Sequence, residues 1–166
     1  MKNVSLSILI TLTLSSCYGS CGNNETLVVT EMKITPSVIN PSDGSTDITS
    51  NKMKITVGNS VYNVTLNDNP SVTAFKSLLP LTLDMDELNN NEKVFHLQTI
   101  LPTNAIPGGN IQVGDFMLYG NNALVLFYES FNTSYTYTRL GKVDDISGYK
   151  TALGTGNVTV KFELQP

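Results

Sequence analysis

From residue 52 onward the chain alternates apolar and polar positions with a period of two, the signature of a half-buried strand. Met53, Ile55 and Val57 share one face and Lys54 and Thr56 the other. After Gly58-Asn59-Ser60, the residues Tyr62, Val64 and Leu66 repeat the pattern, so 53–66 predicts a β-hairpin. Asn69-Pro70 predicts a helix start, with Asn as the cap and Pro at the first helical position. Ala74, Phe75, Leu78 and Leu79 form the expected buried stripe of that helix, and Pro80 ends it. Further strands are expected at 81–85, 93–97, 115–119, 123–128 and 134–140. A short helix near 148–153 precedes a last strand, in which Val158, Val160, Phe162 and Leu164 point inward and Thr159, Lys161 and Glu163 outward. Many short strands with one or two short helices predict a mainly β fold, a closed eight-stranded antiparallel β-barrel, because closure removes exposed strand edges.

The first 51 residues have a different texture. Lys2 followed by an apolar run over 4–14 reads as a signal segment too short to span a bilayer. Leu14-Ser15-Ser16-Cys17 has the form of a bacterial lipobox, which makes Cys17 the expected lipidation site. Residues 1–16 are then a lipoprotein signal peptide, 17–51 a lipidated N-terminus and flexible tether, and 52–166 the folded domain. The tether carries Pro36, Pro41 and Asp43-Gly44-Ser45 as turn signals, with one short strand suggested over 27–34. A doubly anchored acyl terminus holds a protein stably to a membrane. The expected location is therefore the bacterial cell envelope, with the outer membrane preferred and the domain facing the periplasm or the surface. Lipidation leaves Cys21 as a lone thiol, so neither a disulfide nor a Cys-based metal site is expected.

Composition narrows the partners. The 166 residues carry a formal charge of −4, and only 14% are charged. An acidic chain gains nothing from a polyanion, which excludes nucleic acid as a charge-driven partner. With 40% hydrophobic residues the domain can build its own core, and a monomer is expected.

Several segments together resemble a known family. Asn91-Glu92-Lys93, Leu101-Pro102-Thr103-Asn104, Gly114-Asp115-Phe116-Met117-Leu118-Tyr119-Gly120, Leu124-Val125-Leu126-Phe127-Tyr128 and Ser134-Tyr135-Thr136-Tyr137-Thr138-Arg139-Leu140-Gly141 occur in this order. They are similar to the bacterial cyclophilin-like fold domain family, often found in lipoproteins of Bacteroidota-type bacteria. The resemblance covers about residues 52–165 and implies an eight-stranded barrel capped by helices, without a settled activity. True cyclophilins are prolyl isomerases whose Phe-His-Arg signature supplies a cation to the twisted prolyl amide, a fixed charge that stabilises the transition state. This chain has Phe95-His96-Leu97, with Leu97 where that Arg would stand, and it contains no Trp. Ile111-Gln112-Val113-Gly114-Asp115-Phe116 echoes another cyclophilin segment, but at a different spacing from Phe95-His96.

The candidate chemistry is sparse. Arg139 is the chain's sole arginine, and period-two geometry puts Tyr135, Tyr137 and Arg139 on one strand face. Together with Phe127, Tyr128 and Phe131 they suggest a cleft where aromatics supply area and Arg139 orients a carboxylate, sugar or peptide. The competing reading packs the Tyr rings and pairs Arg139 with Glu92 or Asp115. His96 is the sole histidine, and one histidine neither builds a metal site nor gives evidence of a catalytic triad. Asp84-Met85-Asp86-Glu87 and Asn89-Asn90-Asn91-Glu92 lack the loop glycine and terminal Glu of a calcium loop and read as an acidic solvated loop. No catalytic residue, cofactor or metal is expected. The reading is a lipid-anchored envelope protein with a non-catalytic module for a peptide or small-molecule ligand. The alternatives are a divergent peptidyl-prolyl cis-trans isomerase, or another enzyme using the same cleft, and a structural envelope protein.

Overall fold

A computed structural model describes residues 50–166 of the chain; the leader, Cys17, Cys21 and the tether up to Thr49 lie outside the described residues. The hairpin forms as expected: β1 (Lys52–Val57) and β2 (Ser60–Leu66) pair antiparallel, with Met53 opposite Val64 and Ile55 opposite Tyr62. Helix α1 (Pro70–Lys76) starts where the sequence signals it, and the Asn69 side chain accepts the Val72 N–H at 3.0 Å. It is shorter than the apolar stripe implied. Its buried residues are Ser71, Val72 and Phe75, while Leu78 and Leu79 pack against the core from beyond the helix end.

The remaining elements are β3 (Leu81–Leu88), β4 (Glu92–His96), β5 (Ile106–Ile111), β6 (Asp115–Tyr119), β7 (Ala123–Phe127), β8 (Phe131–Val143), α2 (Tyr149–Leu153) and β9 (Val158–Leu164). The sheet runs β2-β1-β9-β3-β4-β7-β6-β8, and a further pairing of β2 with β8 joins its ends into a ring of eight antiparallel strands. These are the eight strands expected from the sequence. The ninth, β5, pairs with β8 outside the ring. Its residues Ile-Pro-Gly-Gly-Asn-Ile carry no alternation and two strand-weakening glycines, so nothing in their pattern marks a strand. The segment expected to be an acidic solvated loop is instead strand to Leu88, turning at Asn89 and Asn90 with positive φ.

One large apolar cluster draws residues from both helices and all eight ring strands, and so fills the ring. Phe75 of α1 meets Phe116 and Phe162 with ring centroids 5.3 and 6.2 Å apart, both edge-on, the geometry aromatic pairs prefer. Tyr149 of α2 is fully buried and packs edge-on against Tyr62. A second, smaller cluster lies on the opposite face of β4, β6, β7 and β8: Val94, Met117, Ala123, Val125, Phe127 and Tyr137, with Ile111 of β5 and Phe131 alongside. This outer face positions the candidate site.

Candidate functional site

Strand alternation sorts the site. On β4, Phe95 and the following Leu97 join the enclosed core, whereas Glu92, Val94 and His96 line a cleft on the outer face. The cleft is about 260 Å³, walled also by Tyr119, Tyr135 and Tyr137, with Ala123 and Val125 between them and Leu88 at the edge. Its size lies just below the roughly 300–1,000 Å³ typical of drug-sized ligand sites, which suits a small head group or one side chain.

An aromatic row runs along this face. Tyr135 meets Tyr119 at 6.0 Å, Tyr119 meets Tyr137 at 5.5 Å, Tyr137 meets Phe127 at 5.5 Å and Phe127 meets Phe131 at 5.7 Å. Four of the six aromatic and cationic residues singled out from the sequence are therefore brought together. Tyr135 and Tyr137 wall the cleft, and Phe127 and Phe131 continue the row beside it. Tyr128 is placed elsewhere: one residue on from Phe127, it projects to the enclosed side and its hydroxyl donates to Glu87 at 2.6 Å. Arg139 also leaves the cleft. Its guanidinium pairs with buried Asp115 at 3.7 Å and donates to the Gly108 carbonyl at 3.3 Å. Asp115 takes Lys142 as well, at 3.2 Å, and accepts the Gln112 N–H at 3.0 Å. The Gln112–Asp115 segment that echoes cyclophilin is thus a turn closed by its own aspartate.

Sequence reasoning missed Tyr119, Glu92 and the ion pair behind them. Lys93 is fully buried; its ammonium is held by Glu87 Oε2 and the carbonyls of Gly154 and Gly156, and lies 5.2 Å from the centre of the Tyr128 ring. Burial alone would push the Glu87 carboxyl up, but hydrogen bonds from Lys93 and Tyr128 and the nearby ammonium outweigh it and hold the carboxyl below its usual range. Glu92 is the opposite case. It is only 7% exposed, and its Oε2 has no hydrogen-bond partner among the described residues. Burial, reinforced by the neighbouring Glu87 charge, pushes its carboxyl up to about 7. An unmatched buried polar group costs about 1–3 kcal/mol, which the surrounding fold must offset. Burial, with Glu92 nearby, also pushes the Tyr137 hydroxyl up to about 12. Alternation along 92–97 was the available signal, since it puts Glu92 and His96 on one face and Lys93 on the other.

A family model described as the cyclophilin-like family matches residues 55–163, from within β1 to within β9. The chain belongs to the cyclophilin-like family. Among solved structures, the solution structure of the hypothetical protein AF2241 from Archaeoglobus fulgidus is similar, with a TM-score of 0.52 at 16% identity over 69% of this chain and 94% of that one. At that identity the likeness concerns the fold. No curated protein matches the chain. In this cyclophilin-like chain, the position following Phe95-His96 is a core position: Leu97 is 6% exposed within the enclosed cluster. A guanidinium there would be turned away from the outer cleft. Among the described residues, no cluster of three or more His, Cys, Asp or Glu is arranged to hold a metal ion.

Proposed function

We propose that the protein is a non-catalytic binding module for a peptide or small ligand, held at the cell envelope by lipid on Cys17 and acting as a monomer, with its ring of strands serving as a closed barrel. The site is the outer-face cleft. The observation that carries this reading is an apolar patch left open where the rest of its cluster is covered: Tyr135 is 63% exposed, Tyr119 45% and Leu88 44%, directly above buried Val125 and Tyr137. Exposed apolar groups gathered around a concave, partly polar site are the usual mark of a binding surface. Phe127 packs edge-on against Tyr137 and is itself backed by Phe131 beside the cleft, and Arg139 holds the β5–β8 side through Gly108 and Asp115 without touching the ligand.

A second reading, an enzyme using the same cleft, has one observation in its favour. Glu92 is a buried carboxyl poised to exchange a proton near neutral pH in the cleft that His96 also lines, as a general acid or base would be. Against prolyl isomerisation stands Leu97, which supplies no cation. The test is a titration of the ¹⁵N-labelled full-length chain, in maltoside micelles, with a mixture of proline-containing peptides, recording shift and exchange spectra on the same samples. Shifts at Val94, Tyr119 and Tyr137 without accelerated cis–trans exchange are expected. Accelerated exchange would replace the binding module with the enzyme. No shifts would exclude prolyl peptides as ligands.

A further inference from the structure

The cleft combines three features that together specify a ligand class. First, Glu92 Oε2 is a buried acceptor with no donor among the described residues, in a side chain that lines the cleft. What the site lacks is an N–H or O–H group from outside. Second, among the described residues no Lys or Arg lines the cleft: Lys93 faces the other way and is occupied by Glu87, Gly154 and Gly156, and Arg139 is held by Asp115. A ligand carrying negative charge would meet no countercharge here. Third, the Tyr119 ring centroid lies 6.0 Å from that of Tyr135 and 5.5 Å from that of Tyr137. Cations are attracted to aromatic faces within about 6 Å of the ring centre; because Tyr119 meets Tyr135 edge-on and Tyr137 at a tilt, a small cation lies over the face of one ring with its neighbours alongside.

Building on the reading of the cleft as a ligand site, we propose that it takes a small organic ammonium, R–NH₃⁺, whose N–H groups donate to Glu92 and whose charge lies against the Tyr119, Tyr135 and Tyr137 rings. A primary ammonium fits better than a quaternary one because only the former brings the donor that Oε2 lacks. A hydrogen bond between ionised partners is also roughly twice as strong as a neutral one. Val94, Ala123 and Val125 take the first carbons of the alkyl chain.

Proton linkage gives the proposal a sign. Glu87 from β3, Tyr128 beyond β7 and Tyr137 from β8 surround Glu92, and Tyr119 of β6, Tyr135 of β8 and His96 of β4 line the same cleft; β5 brings no titratable side chain. An ammonium binds the ionised carboxylate, and that form grows from a small to a large fraction as pH rises from 6 to 8 around a value of about 7. Affinity for the amine therefore rises roughly tenfold across that interval. A neutral carbonyl ligand accepting a hydrogen bond from protonated Glu92 would show the opposite trend. The Glu92→Gln variant isolates this dependence, because it removes only the carboxylate contribution.

The test titrates the labelled full-length chain in maltoside micelles with n-butylammonium chloride, with tetramethylammonium chloride and with 1-butanol, the neutral chain of the same length. Expected are shifts at Val94, Tyr119 and Tyr137 with n-butylammonium, weaker binding of the other two probes, and a tenfold or greater loss of amine affinity in Glu92→Gln. Gln is isosteric with the protonated acid, so the variant keeps its fold. Tyr135→Ala, at an exposed position, weakens the amine several-fold as an independent check. Equal binding of n-butylammonium and 1-butanol, unchanged in Glu92→Gln, would overturn the ammonium proposal and leave the cleft as a ligand site. Tighter binding of tetramethylammonium than of n-butylammonium would overturn the donor role of the N–H groups. If no probe shifts the cleft while prolyl peptides do, the ammonium proposal alone fails; if neither does, both readings fail.

Discussion

Glu92 and Lys93 are adjacent in sequence and opposite in fate, and the difference is testable. Lys93 buries a charge fully but satisfies it with a carboxylate and two carbonyls. Removing one partner of such a buried pair leaves the other uncompensated, which typically costs about 3–5 kcal/mol. Lys93→Met should therefore lower stability by about that much in chemical denaturation, and Lys93→Met with Glu87→Leu should restore part of the loss. Glu92 buries a carboxyl without a partner. Its unfolded form ionises above about 4.5, while its folded form stays protonated to about 7. Between those values the native state holds more protons than the unfolded one, so stability falls as pH rises through that window. Glu87, whose folded value is lowered, works in the other direction: its contribution is present above its unfolded value and lost as pH falls below it. Glu92→Gln should leave stability near pH 4 unchanged and raise it at pH 8 by about 1–3 kcal/mol. A variant that is less stable than the parent at pH 8 would show that Glu92 makes a stabilising contact when ionised.

The ring depends on one seam, where β2 meets β8 through Val64–Val143, Thr65–Lys142 and Leu66–Gly141. Gly141 is needed there because a Cβ would stand 2.5 Å from the Thr65 carbonyl oxygen and 3.1 Å from the Leu66 Cα, backbone atoms that cannot step aside. Gly141→Ala should destabilise the domain by about 1–3 kcal/mol and speed amide exchange at the β2–β8 seam first. Gly108 has a related role on the outer face. A Cβ there would press on Thr133, Tyr137 and Ile111, so the glycine lets β5 lie close over the second cluster. Strands that bury one face were legible by their period of two, as in Met53-Ile55-Val57 or Val160-Phe162, whereas β6 and β7, buried on both faces, read as short continuous apolar runs. β5 was not legible: a strand added outside a ring buries little of itself, and Pro107-Gly108-Gly109 carries no pattern. Nor was the irregularity inside β8. A register shift opposite Phe116 and Met117 puts an extra residue into the strand, so strict alternation through Arg139-Leu140-Gly141 does not hold.

Taken together, the domain presents two faces with different tasks. The enclosed core and its helices hold the ring; the second cluster holds an aromatic row whose upper end is left open. The tyrosines of β8 pointed to that site from sequence alone because period two aligns Tyr135 with Tyr137. Arg139, aligned with them by the same rule, is drawn off by Asp115, a partner 24 positions away that only the folded register brings near. The acidic lining comes from β4, where Glu92, expected in a solvated acidic loop, is buried at the start of the strand. The protein's ligand-facing surface is thus made by β4, β6, β7 and β8 jointly, and none of them carries it alone.

The most direct test is where a bound molecule sits. The amide shift map of the full-length chain, recorded with n-butylammonium and with the prolyl peptide mixture, and repeated in Tyr135→Ala, locates the site independently of any activity. The largest changes should fall on Val94, Tyr119, Val125 and Tyr137 and shrink several-fold in the variant. Changes centred instead on the far side of the ring, around Tyr128, Glu129 and Lys150, and indifferent to Tyr135→Ala, would contradict the outer-face cleft as the binding site.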